Sequence, residues 1–247
     1  MSSRVLRLRE AAVSHAQAKG SASVDLPLTP ALDRLLGTQL SSERNVLLAK
    51  ALIGRTLFPT GQHDDWQVAL ALTGSGNGKT TLADLIQSFC GSFVAASVHS
   101  VRTSARLLTK AATADLLVVY MSRMDAVVID DDSLNACIAG RMPRGVDPAE
   151  LAMDGAAPAH QWTTPTLIVG SVSCRGTPRA WWTRRLAVIP FTKALPLHDQ
   201  DASLAAKLQA ELPQIMFACA LTYIRLCALH GAQHWNAFAP PHLCAPD

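Results

Sequence analysis

A short glycine-rich run, followed by a lysine and two threonines, carries the residue types in this sequence that are best suited to chemistry. Residues 73–81, which we call the phosphate loop, read TGSGNGKTT and stand between an apolar segment and helically spaced apolar residues. Glycines let backbone N–H groups turn inward around an anion, and the N-terminus of a following helix adds the positive end of its dipole. In such a loop Lys79 reaches the β- and γ-phosphates of a nucleotide, and the Thr80 hydroxyl binds Mg²⁺.

The phosphate loop therefore predicts a binding site for ATP or GTP together with Mg²⁺. One position departs from the common pattern, because Thr73 stands where the first glycine usually does. The loop thus either starts at threonine or is re-spaced around Gly74. The residues predicted to bind the nucleotide are Gly74, Ser75, Gly76, Asn77, Gly78, Lys79, Thr80 and Thr81.

Apolar runs on both sides of the loop predict the elements that must position it. Several of these runs are apolar at every position, as parallel strands buried on both faces are. We predict strands at 67–72, 93–98, 116–120, 126–129, 166–169 and 186–191. The predicted fold class is α/β: a P-loop core with a mostly parallel central sheet flanked by helices, plus N- and C-terminal helical segments.

Composition divides the chain into four regions. Residues 1–30 are rich in Ser and Ala, carry Gly20, Pro27 and Pro30, and are expected to form a flexible tail. Residues 31–66 form a helical lead-in, in which apolar spacing predicts two short helices that break near Ser41 and Ser42. Residues 67–195 form the α/β core, and 196–247 form a helical region that ends in a Pro-rich tail.

The overall composition is that of a globular chain with few charges. The 247 residues carry a net charge of +3, with 17% charged and 49% hydrophobic residues. This balance gives no argument for nucleic-acid binding by bulk electrostatics, so individual positions must carry it. The low charged fraction predicts that some apolar surface faces other subunits.

Targeting and redox features are few. The six cysteines are scattered without a metal-binding spacing, which predicts free thiols in a reducing compartment. The densest apolar stretch, 215–229, is interrupted by Arg225, and the start of the chain lacks the apolar region of a signal peptide. We therefore expect a soluble intracellular protein with no membrane partner.

Three classes of nucleotide-binding protein are compatible with the phosphate loop: GTPases, small-molecule kinases and AAA+ motors. GTPases need an N-K-x-D motif, which this sequence lacks. A kinase lid helix is usually studded with cations, and Arg102, Arg106 and Lys110 could serve in one. The kinase interpretation is kept as a less favoured alternative.

Segments on both sides of the phosphate loop resemble, in their order, the superfamily III helicase domain of large DNA viruses, of the poxvirus primase-helicase type. They read IGRTLFP (53–59), HDDWQ (63–67), WTTPTLIVG (162–170) and RRLAVIPF (184–191). The resemblance extends from about Leu35 to His242. Each fragment is short, but the ordered set is fairly specific. If the protein is viral, its expected location is the host cytoplasm or nucleus.

The resemblance implies a hexameric AAA+ ATPase that hydrolyses ATP between subunits and moves along single-stranded DNA during DNA replication. It also implies possible partners on separate chains, such as a primase or other replication proteins. Lys79 and Thr80 match the nucleotide and magnesium positions. Arg184 and Arg185 match a basic pair in which an arginine reaches the neighbouring subunit's γ-phosphate and stabilises transition-state charge.

Two segments compete for the acidic position that holds Mg²⁺ and polarises the attacking water. AVVIDDD (126–132) offers Asp130 and Asp131, which we assign to catalysis with Asp130 as a Mg²⁺ ligand. LLVVYMSR (116–123) lies nearer to the phosphate loop, and the family's spacing to a turn matched by Gly140 favours it. That alternative would put Met121, Ser122 and Arg123 where the acids belong, and would leave the aspartates of 130–132 as a helix cap.

Two further positions follow from the resemblance. Ser171 stands where the family has an asparagine that orients water, and a serine hydroxyl lacks the amide's paired donor and acceptor. A pore hairpin is expected between about 138 and 160, where Arg141 and Arg144 are the cations that could bind DNA phosphates. These departures motivate an alternative function, an ATP-binding helicase paralogue that has lost hydrolysis and serves a structural or regulatory role.

Overall fold

The structure is a computed structural model, and it describes residues 7, 10–14, 26–40, 42–60, 69–74, 78–98, 105–121, 127–146, 161–170, 185–191 and 193–230. The helices are α1 (Pro30–Gln39), α2 (Glu43–Arg55), α3 (Lys79–Gln87), α4 (Ala105–Ala112), α5 (Asp131–Ile138), α6 (Leu204–Ala210) and α7 (Leu212–His230). The strands are β1 (Ala69–Gly74), β2 (Phe93–Val98), β3 (Leu116–Tyr120), β4 (Val127–Ile129), β5 (Thr166–Val169) and β6 (Leu186–Phe191). A 3-10 turn (Leu197–Asp199) precedes α6, and residues 10–14 are helical.

The strands form one sheet in the order β4-β2-β3-β5-β1-β6. Every neighbouring pair in this order is parallel. The predicted α/β class with a parallel sheet is therefore confirmed. Five of the six strand predictions agree with the structure to within one residue, and the first, 67–72, agrees over the described residues 69–72, beyond which β1 continues to Gly74.

Strand β1 lies where the strand order reverses. The chain leaves β1 for β2 toward one edge of the sheet, whereas it leaves β5 for β6 toward the other edge. In parallel α/β sheets, ligands bind outside the carboxyl ends of two adjacent strands whose connections diverge in this way. The phosphate loop follows β1, so the sheet order places it at the position where this fold class binds ligands.

The sheet separates two hydrophobic clusters. One cluster contains the apolar sides of α1, α2, α3, α6 and α7, and the other contains those of α4 and α5. Strand β3 contributes to both, because Leu116 and Val118 belong to the first cluster and Leu117 and Val119 to the second. All four side chains are fully buried, which explains why the strand is apolar at every position.

The helical lead-in contains the two predicted helices, α1 and α2, with the break between them at the predicted place. The Ser42 hydroxyl caps α2 by accepting a hydrogen bond of 3.2 Å from the Asn45 N–H. Helix α2 then crosses α7 at Gly54, where a Cβ atom would overlap the Cys219 carbonyl oxygen. Nearby, the Phe58 and Tyr223 rings pack with their centroids 5.0 Å apart. The lead-in and the C-terminal helix therefore form one closely packed layer.

The sequence analysis treats Arg225 as an interruption that makes the apolar stretch too short for a membrane span, and helix α7 corrects this expectation. Its segment Leu212–Leu229 is long and apolar enough to cross a membrane, although Arg225 lies within it. In this structure 56% of that segment is buried, and it packs against α2. Its apolarity is therefore accounted for by its place in the protein core.

Candidate nucleotide-binding site

The phosphate loop begins at the carboxyl end of β1 and ends at the first turn of α3. Gly74 pairs with Phe191 of β6, which fixes the point where the chain leaves the sheet. Gly78 caps α3 in the left-handed region, with φ of 89° and ψ of 0°, a conformation that glycine adopts without the steric cost of a Cβ. Ser75, Gly76 and Asn77 lie outside the described residues.

Lys79, Thr80 and Thr81 form the first turn of α3. The apolar side of this helix, which includes Leu82 and Ile86, is fully buried against the sheet, so its N-terminus is held at the loop. The turn contains no acidic residue that would oppose the positive end of the helix dipole. Partial burial lowers the pKa of Lys79, and Thr80 is exposed. The helix N-terminus, the ammonium group beside it and the exposed hydroxyl suit the binding of a phosphate group.

Gly78 is enclosed by two apolar side chains. A Cβ built on Gly78 would lie 2.9 Å from Leu35 Cδ1 and 3.9 Å from a ring carbon of Phe191. Leu35 belongs to α1, and Phe191 ends β6. No pattern in the sequence connects Leu35 with the loop. Its side chain is apolar, and its helical spacing indicates an ordinary core residue.

The structure does not bring Asp130 to the phosphate loop. Strand β4 lies at the far edge of the sheet, four positions from β1, which corresponds to about 19 Å at normal strand spacing. The Asp130 carboxylate instead caps α5, accepting bonds of 2.8 Å from both the N–H and the hydroxyl of Ser133. Asp131 lies in the first turn of the same helix. The assignment of Asp130 and Asp131 beside Mg²⁺ is corrected on this ground, and the helix-cap interpretation accounts for Asp130.

Strand β3 lies closer to the loop, since only β5 separates it from β1. Its last residue, Tyr120, pairs with Val169, and the next N–H, of Met121, donates to the Val169 carbonyl at 3.0 Å. Met121 thus stands at the strand end where an acid would be expected. Ser122 and Arg123 lie outside the described residues. Among the residues that are described, no group of three His, Cys, Asp or Glu side chains could hold a metal ion.

The end of β5 lies between the ends of β1 and β3. The Gly170 N–H donates to the Leu72 carbonyl of β1 at 3.0 Å, and a Cβ at Gly170 would lie 2.7 Å from Met121 Cβ. With φ of 147°, Gly170 has no space and no favourable backbone geometry for a side chain. Ser171, the predicted sensor residue, follows directly and lies outside the described residues.

Arg185 lies at the amino ends of the parallel strands, whereas the phosphate loop lies at their carboxyl ends. It immediately precedes β6, whose first residue Leu186 pairs with Ala69 and whose last residue Phe191 pairs with Gly74. Five residue steps of a strand span about 17 Å. Arg185 is half-buried, and Arg184 lies outside the described residues.

Arg141 and Arg144 follow α5. Both are exposed, and Arg141 forms an isolated antiparallel bridge with Gln161. The Trp162 N–H donates to the Gly140 carbonyl at 3.0 Å, so the two chain segments run together before β5. Trp162 itself is 1% exposed and donates from Nε1 to the Thr164 carbonyl, so this tryptophan packs in the protein core.

The cations of the kinase alternative do not form a lid in the described structure. Arg106 and Lys110 are exposed on α4, whose buried side rests on the sheet next to β2. Strand β2 is separated from β1 by β3 and β5. Arg102 lies outside the described residues.

Comparison with known proteins gives a similarity of fold. The sequence matches no protein-family model, and no curated protein matches it either. The apo C-terminal region of NrS-1 has a TM-score of 0.48 and 12% identity over 81% of this chain and 47% of that chain. JCV helicase with a bound inhibitor has a TM-score of 0.46 and 13% identity over 94% of this chain and 65% of that chain. The chain thus spans about half of the NrS-1 region.

Proposed function

We propose that the chain is an ATP-binding motor domain of the superfamily III helicase type that acts on single-stranded DNA in DNA replication, in a viral setting. The observation that carries the proposal is the phosphate loop, with Gly78 in the left-handed conformation and Lys79 opening a buried helix at the reversal point of the sheet. Backbone amides, a helix N-terminus and an ammonium group together favour the phosphates of a nucleotide. The hexameric ring and the DNA substrate rest on the resemblance in sequence.

In this proposal Lys79 binds the β- and γ-phosphates, and Thr80 binds Mg²⁺ through its hydroxyl. Mg²⁺ commonly takes one or two protein ligands together with phosphate oxygens and water, so the exposed Thr80 suits it. When bound, the ion neutralises charge on the phosphoryl group that is transferred. Because Asp130 caps α5 beyond the far strand of the sheet, we propose Asp125, the first acid that follows β3 in the sequence, as the acid near the metal.

We place the arginine pair at a neighbouring subunit's nucleotide. With about 17 Å of strand between Arg185 and the level of Gly74, the side chain is too short to reach phosphates in its own loop. An arginine that stabilises transition-state charge from another molecule is a known device in nucleotide hydrolysis. This position therefore supports hydrolysis at contacts between subunits.

The exposed Arg141 and Arg144 remain the proposed DNA contacts. Guanidinium groups bind phosphate oxygens bidentately, and six subunits would multiply a few such contacts around a ring. Because the net charge of one chain is only +3, we propose local contacts rather than a broad basic surface.

A second function is favoured by one particular position. Met121 directly follows β3, where the resemblance implies that a motor carries an acid, and its thioether cannot polarise water. The chain would then bind ATP without turnover and serve as a structural or regulatory subunit of a helicase ring.

An ATPase assay with and without single-stranded DNA separates the two functions. The motor predicts phosphate release that single-stranded DNA stimulates and that Lys79→Ala abolishes. The regulatory subunit predicts ATP binding that Lys79→Ala weakens, with no phosphate release under either condition. Phosphate release that Lys79→Ala leaves unchanged would contradict both.

A further inference from the structure

We propose that Leu35 of α1 is a positioning residue for the phosphate loop, through which the C-terminal part of the chain sets phosphate affinity. The inference rests on the proposed nucleotide site and assigns it a control element outside the loop. Leu35 is 5% exposed, and its Cδ1 atom lies 2.9 Å from the position that a Cβ of Gly78 would take.

Gly78 needs such a neighbour because glycine itself does not select one backbone conformation. It populates positive and negative φ about equally, so the left-handed turn must be chosen by packing. Leu35 Cδ1 and the Phe191 ring both lie within 4 Å of the Cβ position of Gly78, so they pack against this residue. Because Gly78 immediately precedes Lys79, its conformation sets the direction in which the first amides of α3 point.

Helix α1 is held at both ends by segments that follow β6. At its start, the Ala31 N–H donates to both carboxylate oxygens of Glu211, at 3.2 and 3.1 Å. At its end, the Gln39 side chain exchanges two hydrogen bonds with the backbone of Lys193, at 2.9 and 3.1 Å. Leu35 lies midway between these attachments, so a displacement of either C-terminal segment would move it relative to Gly78.

A comparison of leucine variants on α1 tests the inference. Leu35→Ala removes the side chain beside Gly78, Leu35→Met restores a similar volume, and Leu36→Ala removes an equally buried leucine that does not touch Gly78. Two measurements are made on each full-length variant: MgATP affinity by calorimetry, and amide hydrogen exchange of residues 79–82 without nucleotide.

We expect Leu35→Ala to weaken MgATP binding about tenfold and to accelerate exchange in the first turn of α3, because truncation leaves the turn without its packing partner. Leu35→Met should recover both values, and Leu36→Ala should change neither by more than about twofold. Equal effects of Leu35→Ala and Leu36→Ala in both measurements would overturn the positioning role while leaving the nucleotide site intact. Wild-type protein that fails to bind MgATP, while exchange still accelerates only in Leu35→Ala, would overturn the proposed function and support the contact.

Discussion

At the scale of single residues, Asp130 and Met121 show why the chemistry of the site was only partly predictable. Both follow apolar strands, and by local pattern the run ending in three aspartates is the better candidate for a metal site. Which strand lies near the loop depends on the order β4-β2-β3-β5-β1-β6, which no local pattern encodes. Lys79 and Thr80 were predictable because their whole motif is contiguous in sequence.

The role of Asp130 as a cap gives the first prediction. Asp130→Ala should lower the free energy of unfolding by about 1 kcal/mol, because two bonds to Ser133 are lost at the start of α5. Asp130→Asn should keep most of that stability, since asparagine is also a good N-cap. Urea denaturation measures the stability of each variant.

The matched control for this prediction is Asp132→Ala, which changes an exposed acid in the first turn of the same helix. It should have a smaller effect than Asp130→Ala on stability. All three variants should bind MgATP as the wild type does. A loss of MgATP affinity that is specific to Asp130→Ala and Asp130→Asn would instead return Asp130 to the metal site.

At the scale of elements, strands were predictable wherever burial on both faces made them apolar throughout. Strand β1 continues to Gly74, two residues beyond its predicted end, because it pairs with β6, a partner distant in sequence, up to Phe191. The close crossing of α2 and α7 had no signal in the sequence. From the sequence alone, Gly54 is a poor helix former within α2. The position of the Cys219 backbone explains why a glycine is needed there.

The helix crossing gives the second prediction. Gly54→Ala should destabilise the fold by about 1–3 kcal/mol or more, because the added methyl group overlaps the backbone of α7 and forces the helices apart. Gly37→Ala, at an exposed position in the last turn of α1, meets nothing within 4 Å and should stabilise by about 0.5–1 kcal/mol. Thermal unfolding of both variants measures the contrast. Equal shifts in the same direction would contradict the crossing.

At the scale of the whole molecule, the candidate site residues lie at both ends of the parallel strands. The carboxyl edge carries the phosphate loop and the ends of β3 and β5, and the amino edge carries Arg185. A chain with this arrangement lacks Arg185 at its own nucleotide. If Arg185 takes part in hydrolysis as proposed, a second copy of the chain must present the amino ends of its strands to the first copy's phosphate loop.

Mixing two inactive variants tests this requirement. Lys79→Ala retains Arg185 but loses its own nucleotide contact, and Arg185→Ala retains the loop but loses the arginine. We expect each alone to lack ATPase activity and a mixture to recover part of it, because one interface then combines an intact loop with an intact arginine. Arg185→Ala with full activity, or no recovery in the mixture while the wild type is active, would contradict action between subunits.

The central claim, that residues 73–81 bind nucleotide phosphates, is tested most directly by equilibrium binding of MgATP. The comparison is between wild type, Lys79→Ala and Lys110→Ala, the last being an exposed lysine on α4. We predict binding by wild type and Lys110→Ala, and at least about tenfold weaker binding by Lys79→Ala, since a charge-assisted bond to phosphate is lost. Equal affinity of the two lysine variants, or no binding by the wild type, would contradict the claim.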